Sequence, residues 1–552
     1  MARARVAQKK ATRQIRREYV LNPAKGLNNL VSDSLIDKRE ASSLLNIAFE
    51  ESGVVRKRDG FSSFGQSLTN AQLLGYYYSE TAKELLTVDA GQPKRFSSGV
   101  WTDISGVTMS TTRPFIDYTQ AKNNVFLWDT ESGGVQYNGT TTTRPGTMPK
   151  AKFSIYNNGI HIASGTPGQL SRVYFSVGGK PAQFTNNGAS KPVAFAVGDG
   201  WPDNAVDVPG ATDFTNANSA FTIDFGKDDG FAVTGIAVFQ GDIIIFKENA
   251  IYQLSFTGST TDAVSAVVTL ITRSIGCVSH RSIAYVENDI YFLTRRGVYV
   301  IGNEANFYTA IRTNELSARV RPLIDQISPA GYELCNARYY KDRYLLAAPV
   351  GTTAVNRVLN YDRRYQAWSV WDTIAPRAMI PFIDNNNIEH FYFIQDKAGQ
   401  SVKEIITGQY NDEGAAISAY WESAALDGGS IDITKRFVDL GVVLRQLNGI
   451  LNITIYADGA EILKDTMIDG VSSSGYGADM IGDAWIGGNI STGTTELGVT
   501  NEPWRLVIKR NSRTIKFRIE NNRVDENFAL LGYILGYYPY SYYRFDSSRK
   551  VY

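Results

Sequence analysis

Residues 236–254 read IAVFQGDIIIFKENAIYQL, and residues 283–301 read IAYVENDIYFLTRRGVYVI. They align without a gap at an offset of 47. Each holds a short apolar run, a polar turn, a second apolar run, another turn and the start of a third run. A unit this small cannot bury both of its faces alone, so repeated copies imply stacked or radial packing of small sheets.

The same pattern extends outward from these copies. Between residues 70 and 410 apolar runs alternate with polar turns, as in 73–78 with 84–88, 124–128 with 134–137, 153–156 with 159–163, and 380–383 with 389–394. The turns carry residues that accept tight backbone geometry: Asn157-Asn158-Gly159, Gln240-Gly241, Lys341-Asp342 and Asp384-Asn385-Asn386-Asn387. Thr111-Thr112-Arg113-Pro114 recurs as Thr142-Thr143-Arg144-Pro145. About seven units, spaced mostly by roughly 30 to 55 residues, predict a β-propeller of six or seven blades. Residues 177–232, rich in Gly, Asn, Asp and Pro, read as an inserted loop. Residues 313–327 have helical spacing at Leu316, Val320, Leu323, Ile324 and Ile327, with Pro322 either kinking the helix or starting a second one.

Flanking regions differ in texture. The first 18 residues hold Arg3, Arg5, Lys9, Lys10, Arg13, Arg16 and Arg17 against one acid, Glu18, and read as a basic arm. Asp37 followed by Glu40 predicts a capped short helix ending near Asn46, then strand-like runs at 47–49 and 54–58 and a turn at Asp59-Gly60. After residue 412 the runs are longer and alternate cleanly, as in Ile515, Phe517 and Ile519 against Lys516, Arg518 and Glu520. That alternation predicts an antiparallel β-sandwich. Residues 470–500 read as an extended loop, and Tyr537, Tyr538, Tyr540, Tyr542 and Tyr543 offer rigid aromatic contact area for a subunit interface. The expected organisation is an all-β chain with an arm and short helix at 1–65, a propeller at 66–411 and a sandwich at 412–552.

Composition narrows the function classes. The chain has 552 residues with 56 Lys plus Arg against 55 Asp plus Glu, so the whole is not a nucleic-acid-binding polycation. Its two cysteines, Cys277 and Cys335, form no disulfide framework and fit buried thiols in a reducing compartment. No apolar run is long enough for a transmembrane helix, and no secretory h-region is seen.

Chemistry-bearing motifs are few. His161, His280 and His390 lack metal-ligand spacing, and no nucleophile elbow or phosphate-binding loop occurs. Cys277 and His280 stand three apart with no third group. Asp228-Asp229-Gly230 and 384–387 could offer oxygen ligands to calcium, but neither continues as an EF-hand, and both read as turns. Carboxylates paired only in three dimensions could still serve a glycan hydrolase. No catalytic, cofactor or metal residue is assigned.

Three stretches resemble a known group. They are Gly26-Leu27-Asn28 with Asn46, Glu50, Gly53 and Lys57-Arg58-Asp59-Gly60-Phe61; residues 246–252 with 274–284; and residues 289–299. In this order they resemble the propeller-containing nozzle, tail tubular and stabilisation proteins of tailed bacteriophages. The resemblance implies a structural, non-catalytic virion protein without cofactor, assembled in the host cytoplasm as a ring, commonly hexameric. Such a ring encloses the DNA exit channel and contacts adaptor, portal-proximal and fibre proteins of the tail. The alternatives are a receptor-binding or fibre-anchoring tail protein and a propeller glycan hydrolase.

Overall fold

The computed structural model describes residues 14–184 apart from Glu51 and Pro114, 220–468 apart from 227–228, 258–264, 305–306 and 397–400, and 504–538. The chain divides into two compact units. One is Gly60–Arg363 with Val370–Thr407, and the other joins Met1–Asp59, Arg364–Ser369 and Gly408–Tyr552. The described residues before Gly60 therefore fall in the same unit as the C-terminal region.

The larger unit is a β-propeller. Antiparallel four-stranded sheets follow one another in chain order, each an up-and-down meander. The first runs through Ala71–Tyr78, Lys83–Asp89, Gln92–Ser97 and Val100–Asp103. Tight hairpins join the strands because residues such as Gln240 and Gly241 take positive φ (52° and 92°), the conformation of a two-residue turn whose twist matches the strands. The two stretches that opened the sequence reading occupy equivalent strands of successive sheets. Residues 236–254 lie in Val233–Phe239, Asp242–Lys247 and Ile251–Thr257, and residues 283–301 supply Ala284–Val286, Asp289–Leu293 and the start of Val298–Glu304.

Each sheet buries both faces against its neighbours. Ile243, Ile244, Ile245 and Phe246 are all buried, although alternate residues point to opposite faces. Ile236, Ile243 and Ile245 pack with Phe153, Ile162 and Val173 of the preceding sheet. Ala237, Ile244 and Phe246 pack with Ile290, Phe292 and Ile301 of the following one. The circuit returns on itself, since Leu74 and Leu85 of the first sheet share a core with Ile380, Ile394 and Val402 near the end of the unit. Burial of each such side chain contributes about 1.5–3 kcal/mol, so closure gives the first and last sheets the same stabilisation as the others.

A strand from far upstream completes the closing sheet. Pro376–Ile383, Glu389–Gln395 and Val402–Ile406 are joined by Gly60–Phe64, with Phe61 opposite Ile405 and Phe64 opposite Val402. Phe61 meets Phe393 edge to face at 5.2 Å. The two ends of the unit are thus held by one shared sheet.

The smaller unit contains two sheets. One orders Ile47–Phe49, Val55–Lys57, Asn527–Tyr538, Lys435–Asn448 and Trp504–Ser512, with Arg16–Leu21 also paired to Asn527–Tyr538. The other orders Ala41–Leu45, Ala419–Ser423, Ile515–Asn521, Ile450–Ala457 and Ala460–Ile468. Ile515, Phe517, Ile519 and Asn521 are buried, and the residues between them are half-buried. Trp421 and Phe517 of the second sheet meet Tyr533 of the first at 6.1 and 4.9 Å.

Four local expectations are corrected. The helix predicted after Asp37 is a turn followed by the strand Ala41–Leu45. The capping contacts do form, with the Asp37 amide donating to the Glu40 carboxylate at 3.0 Å, but pairing with Ala419–Ser423 then draws the chain into a sheet. Arg16 and Arg17, read as part of an arm, lie in the strand Arg16–Leu21. Residues 313–327 are not one helix: Phe307–Glu315 is a strand, Ala318–Val320 is a 3₁₀ turn, and Pro322 stands at the start of the short helix Arg321–Ile324, as one of the two expected alternatives had it. The inserted loop at 177–232 contains the strand Phe221–Asp224, which pairs with Arg172–Phe175, while 185–219 lies outside the described residues. The loop at 470–500 also lies outside them.

Candidate functional site

The residues first expected to bind partners do not form one cluster. Arg3, Arg5, Lys9, Lys10, Arg13, Tyr540, Tyr542 and Tyr543 lie outside the described residues. Arg16 and Arg17 stand opposite Tyr537 and Gly536 in an antiparallel ladder, so the two sequence-distant candidates are neighbours in one sheet. Arg17 pairs with Asp439 at 3.2 Å. Tyr537 is buried against Phe437 and donates its hydroxyl to the Gly428 carbonyl at 3.1 Å. Tyr538 is half-buried.

The suspected ligand groups have structural occupations. His161 is buried, and its Nδ1–H donates to the Pro181 carbonyl at 2.8 Å, with Nε2 standing 2.9 Å from the Ser154 hydroxyl oxygen. Burial holds its pKa down to about 4, against the raising effect of the Pro181 hydrogen bond. Asp229 receives the buried Lys247 ammonium at 2.6 Å. Asp384 caps its own turn by accepting the Asn386 and Ile388 amides, each at 2.8 Å. Cys277 and Cys335 are buried free thiols that burial pushes up to about 11 and about 12.

A cavity of about 420 Å³ in the propeller gathers residues that sequence spacing did not connect. It lies where strands begin: Asp117 opens Asp117–Ala121, Lys152 precedes Phe153–Asn157, and Val233 opens Val233–Phe239. His280 and Arg281 come from a one-turn 3₁₀ helix just before Ala284–Val286. The propeller's repetition brings equivalent strand ends together, although the residues lie up to 164 positions apart (117 to 281).

Inside the cavity, the His280 ring stacks on Phe153 at 4.5 Å, and its Nδ1 accepts the Ile236 amide at 3.4 Å. Nε2 then carries the proton and faces Asp117 Oδ2 at 3.7 Å, beyond hydrogen-bond reach. Burial, then the charges of Arg338, Lys152 and Arg281, hold His280 down to about 3, so it is neutral at physiological pH. Burial raises the Asp117 carboxyl to about 6, although Arg338 and Arg281 oppose the shift. Arg281 lies over the Phe115 ring at 4.4 Å and donates through Nη2 to the Arg377 carbonyl. At the rim, Lys152 pairs with Glu333 and Arg295 with Glu248. His280 was visible in the sequence as a residue before a strand. Asp117 and Arg281 carried no local signal, because their significance depends on which strand ends meet.

No family model matches the chain, and a search of curated proteins finds no match. Solved structures with some likeness include YCF48 from Cyanidioschyzon merolae, at 10% identity over 63% of this chain and 98% of that one, with a TM-score of 0.35. BamB from Moraxella catarrhalis is 8% identical over 63% of this chain and 98% of that one, at 0.33. The computationally designed Ika8 protein is 12% identical over 69% and 100%, also at 0.33. Scores at this level do not transfer a function. The class of protein is set by the strand topology itself: a β-propeller joined to a second all-β unit. Among the described residues, no helix is long and apolar enough to cross a membrane.

Proposed function

We propose that this chain is a structural protein of a bacteriophage tail, a nozzle or hub subunit built as a seven-bladed propeller with a β-sandwich. The seventh blade is the sheet completed by Gly60–Phe64. The observation that carries the reading is the role of the residues behind the family resemblance, which are framework residues. Lys57 and Arg58 are fully buried. Arg58 forks onto Asp412 at 3.0 and 2.6 Å and bonds Asn46 at 3.0 Å. Arg56 bonds Asp59 at 3.1 and 2.9 Å and meets Glu50 at 3.2 Å. A signature made of buried framework residues suits a wall component, and identical subunits with heterologous contacts would close a ring.

Native mass spectrometry and negative-stain imaging test this, on the protein alone and mixed with tail adaptor and fibre proteins. The expected result is a closed ring, of about six copies, that binds an adaptor. A particle that stays monomeric in every mixture overturns it. Glycan turnover by the wild type, abolished in Asp117→Asn, would favour a propeller hydrolase. Direct attachment of the isolated protein to host cells would favour a receptor-binding role.

A further inference from the structure

We propose that the cavity between the strand ends is a binding site for a monoanionic ligand, a carboxylate taken by Arg281 with a neighbouring N–H or O–H donated to Asp117. This inference is independent of the tail assignment. Its basis is a pair of unmet hydrogen-bonding demands in two residues that line the cavity. Among the described residues, Arg281 Nη1 is buried with no hydrogen-bond partner, and so is Asp117 Oδ2. Leaving such a group unpaired costs about 1–3 kcal/mol, and more where the group is charged. One atom is a donor and the other an acceptor, so a ligand satisfies both by bringing an acceptor beside a donor.

Charge fixes the kind of acceptor. The rim pairs Lys152–Glu333 and Arg295–Glu248 balance each other. Within the cavity Arg281 balances Asp117, and His280 is neutral. Arg338, behind the lining, adds one positive charge that acts on Asp117 and His280, and that single charge matches a carboxylate. A dianionic phosphate would exceed that balance and be repelled by Asp117. The apolar remainder of the wall, including Phe115, Pro167, Leu170 and Val233, suits the body of a small organic acid or a peptide end.

The test uses the full chain and two carboxylate probes, N-acetyl-Ala-Ala and methyl glucuronide. Their uncharged counterparts, N-acetyl-Ala-Ala amide and methyl glucoside, serve as controls. Calorimetry or ligand-observed NMR should detect at least one carboxylate probe at millimolar concentration, with its uncharged counterpart about tenfold weaker or more. A preference for the peptide identifies a protein segment as the natural source of the carboxylate, and a preference for the glucuronide identifies a sugar acid. Arg281→Met should weaken binding by about tenfold or more. Leu170→Trp, at an exposed position on the wall, should obstruct the cavity without disturbing the buried charges, and it decides the matter if Arg281→Met does not fold. The proposal is overturned if neither carboxylate binds the wild type, if uncharged probes bind equally well, or if the folded variants retain full affinity.

Discussion

Arg58 and Asp412 show how much one residue carries in the smaller unit. The guanidinium is wholly buried, and each of its bonds to the carboxylate is matched by a geometric fork. Removing one partner strands a buried charge, which is strongly destabilising. Arg58→Ala should therefore cost about 3–5 kcal/mol in a denaturant titration of the full chain. His161 gives a pH prediction of definite sign. Its folded pKa, near 4, lies below the ordinary value of 6.5, so the fold favours the neutral ring. Stability from this residue is fully present above pH 6.5 and is lost as pH falls toward 4. The expected loss is roughly 3 kcal/mol, read as a narrowing gap between wild type and His161→Gln in melts from pH 7 to pH 4. His161 could be placed in a strand from its neighbours Ile160 and Ile162. Its bond to the Pro181 carbonyl could not, because the partner arrives from a loop 20 residues away.

At the scale of the element, the strand Gly60–Phe64 matters most. Its pairing with Val402–Ile406 joins residues more than 330 positions apart and closes the circuit of sheets. Phe61→Asp would place a charge at a buried position against Phe393. It should lower the melting temperature and increase proteolysis of the propeller unit far more than Ser62→Asp, a half-buried polar position on the same strand. The end of the stretch read as a basic arm is a strand, Arg16–Leu21. Deletion of residues 1–18 removes Arg16, Arg17 and Glu18 from their ladder with Asn527–Tyr538, including the Arg17–Asp439 pair, and should lower the melting temperature. Deletion of residues 1–13 touches none of those bonds and should leave it unchanged. Element type was legible wherever a strand satisfied its pattern locally, as in Ile515–Asn521. It was misread at Ala41–Leu45, where helix-compatible residues and a real capping contact yield to a partner strand some 380 residues away.

For the whole molecule, closure through distant strands makes folding a problem of long-range search. Arg16 pairs with Tyr537, and Gly60 with Ile406, so native contacts close very large loops. Refolding from denaturant, followed by tryptophan fluorescence, should take seconds or longer and show a slow phase. Slowing of that phase by Phe61→Asp would identify closure of the propeller as its late step. The repeat at offset 47 exposed the architecture early because every blade solves the same packing problem with similar apolar runs. The cavity stayed hidden because Asp117 belongs to a different repeat from the adjacent His280 and Arg281, and no motif links them.

Taken alone, the order of residues determined that the chain is all-β, that its middle is a repeated sheet unit, and that its later part alternates buried and wet positions. These follow from hydrophobic periodicity and turn chemistry, which act over a few residues. Tertiary structure decided that the segment before residue 65 is divided between two units, that its last strand completes the propeller, and which charged side chains face one cavity. Those outcomes depend on pairing between strands hundreds of residues apart, where the free energy lies in the contact and neither local stretch encodes it.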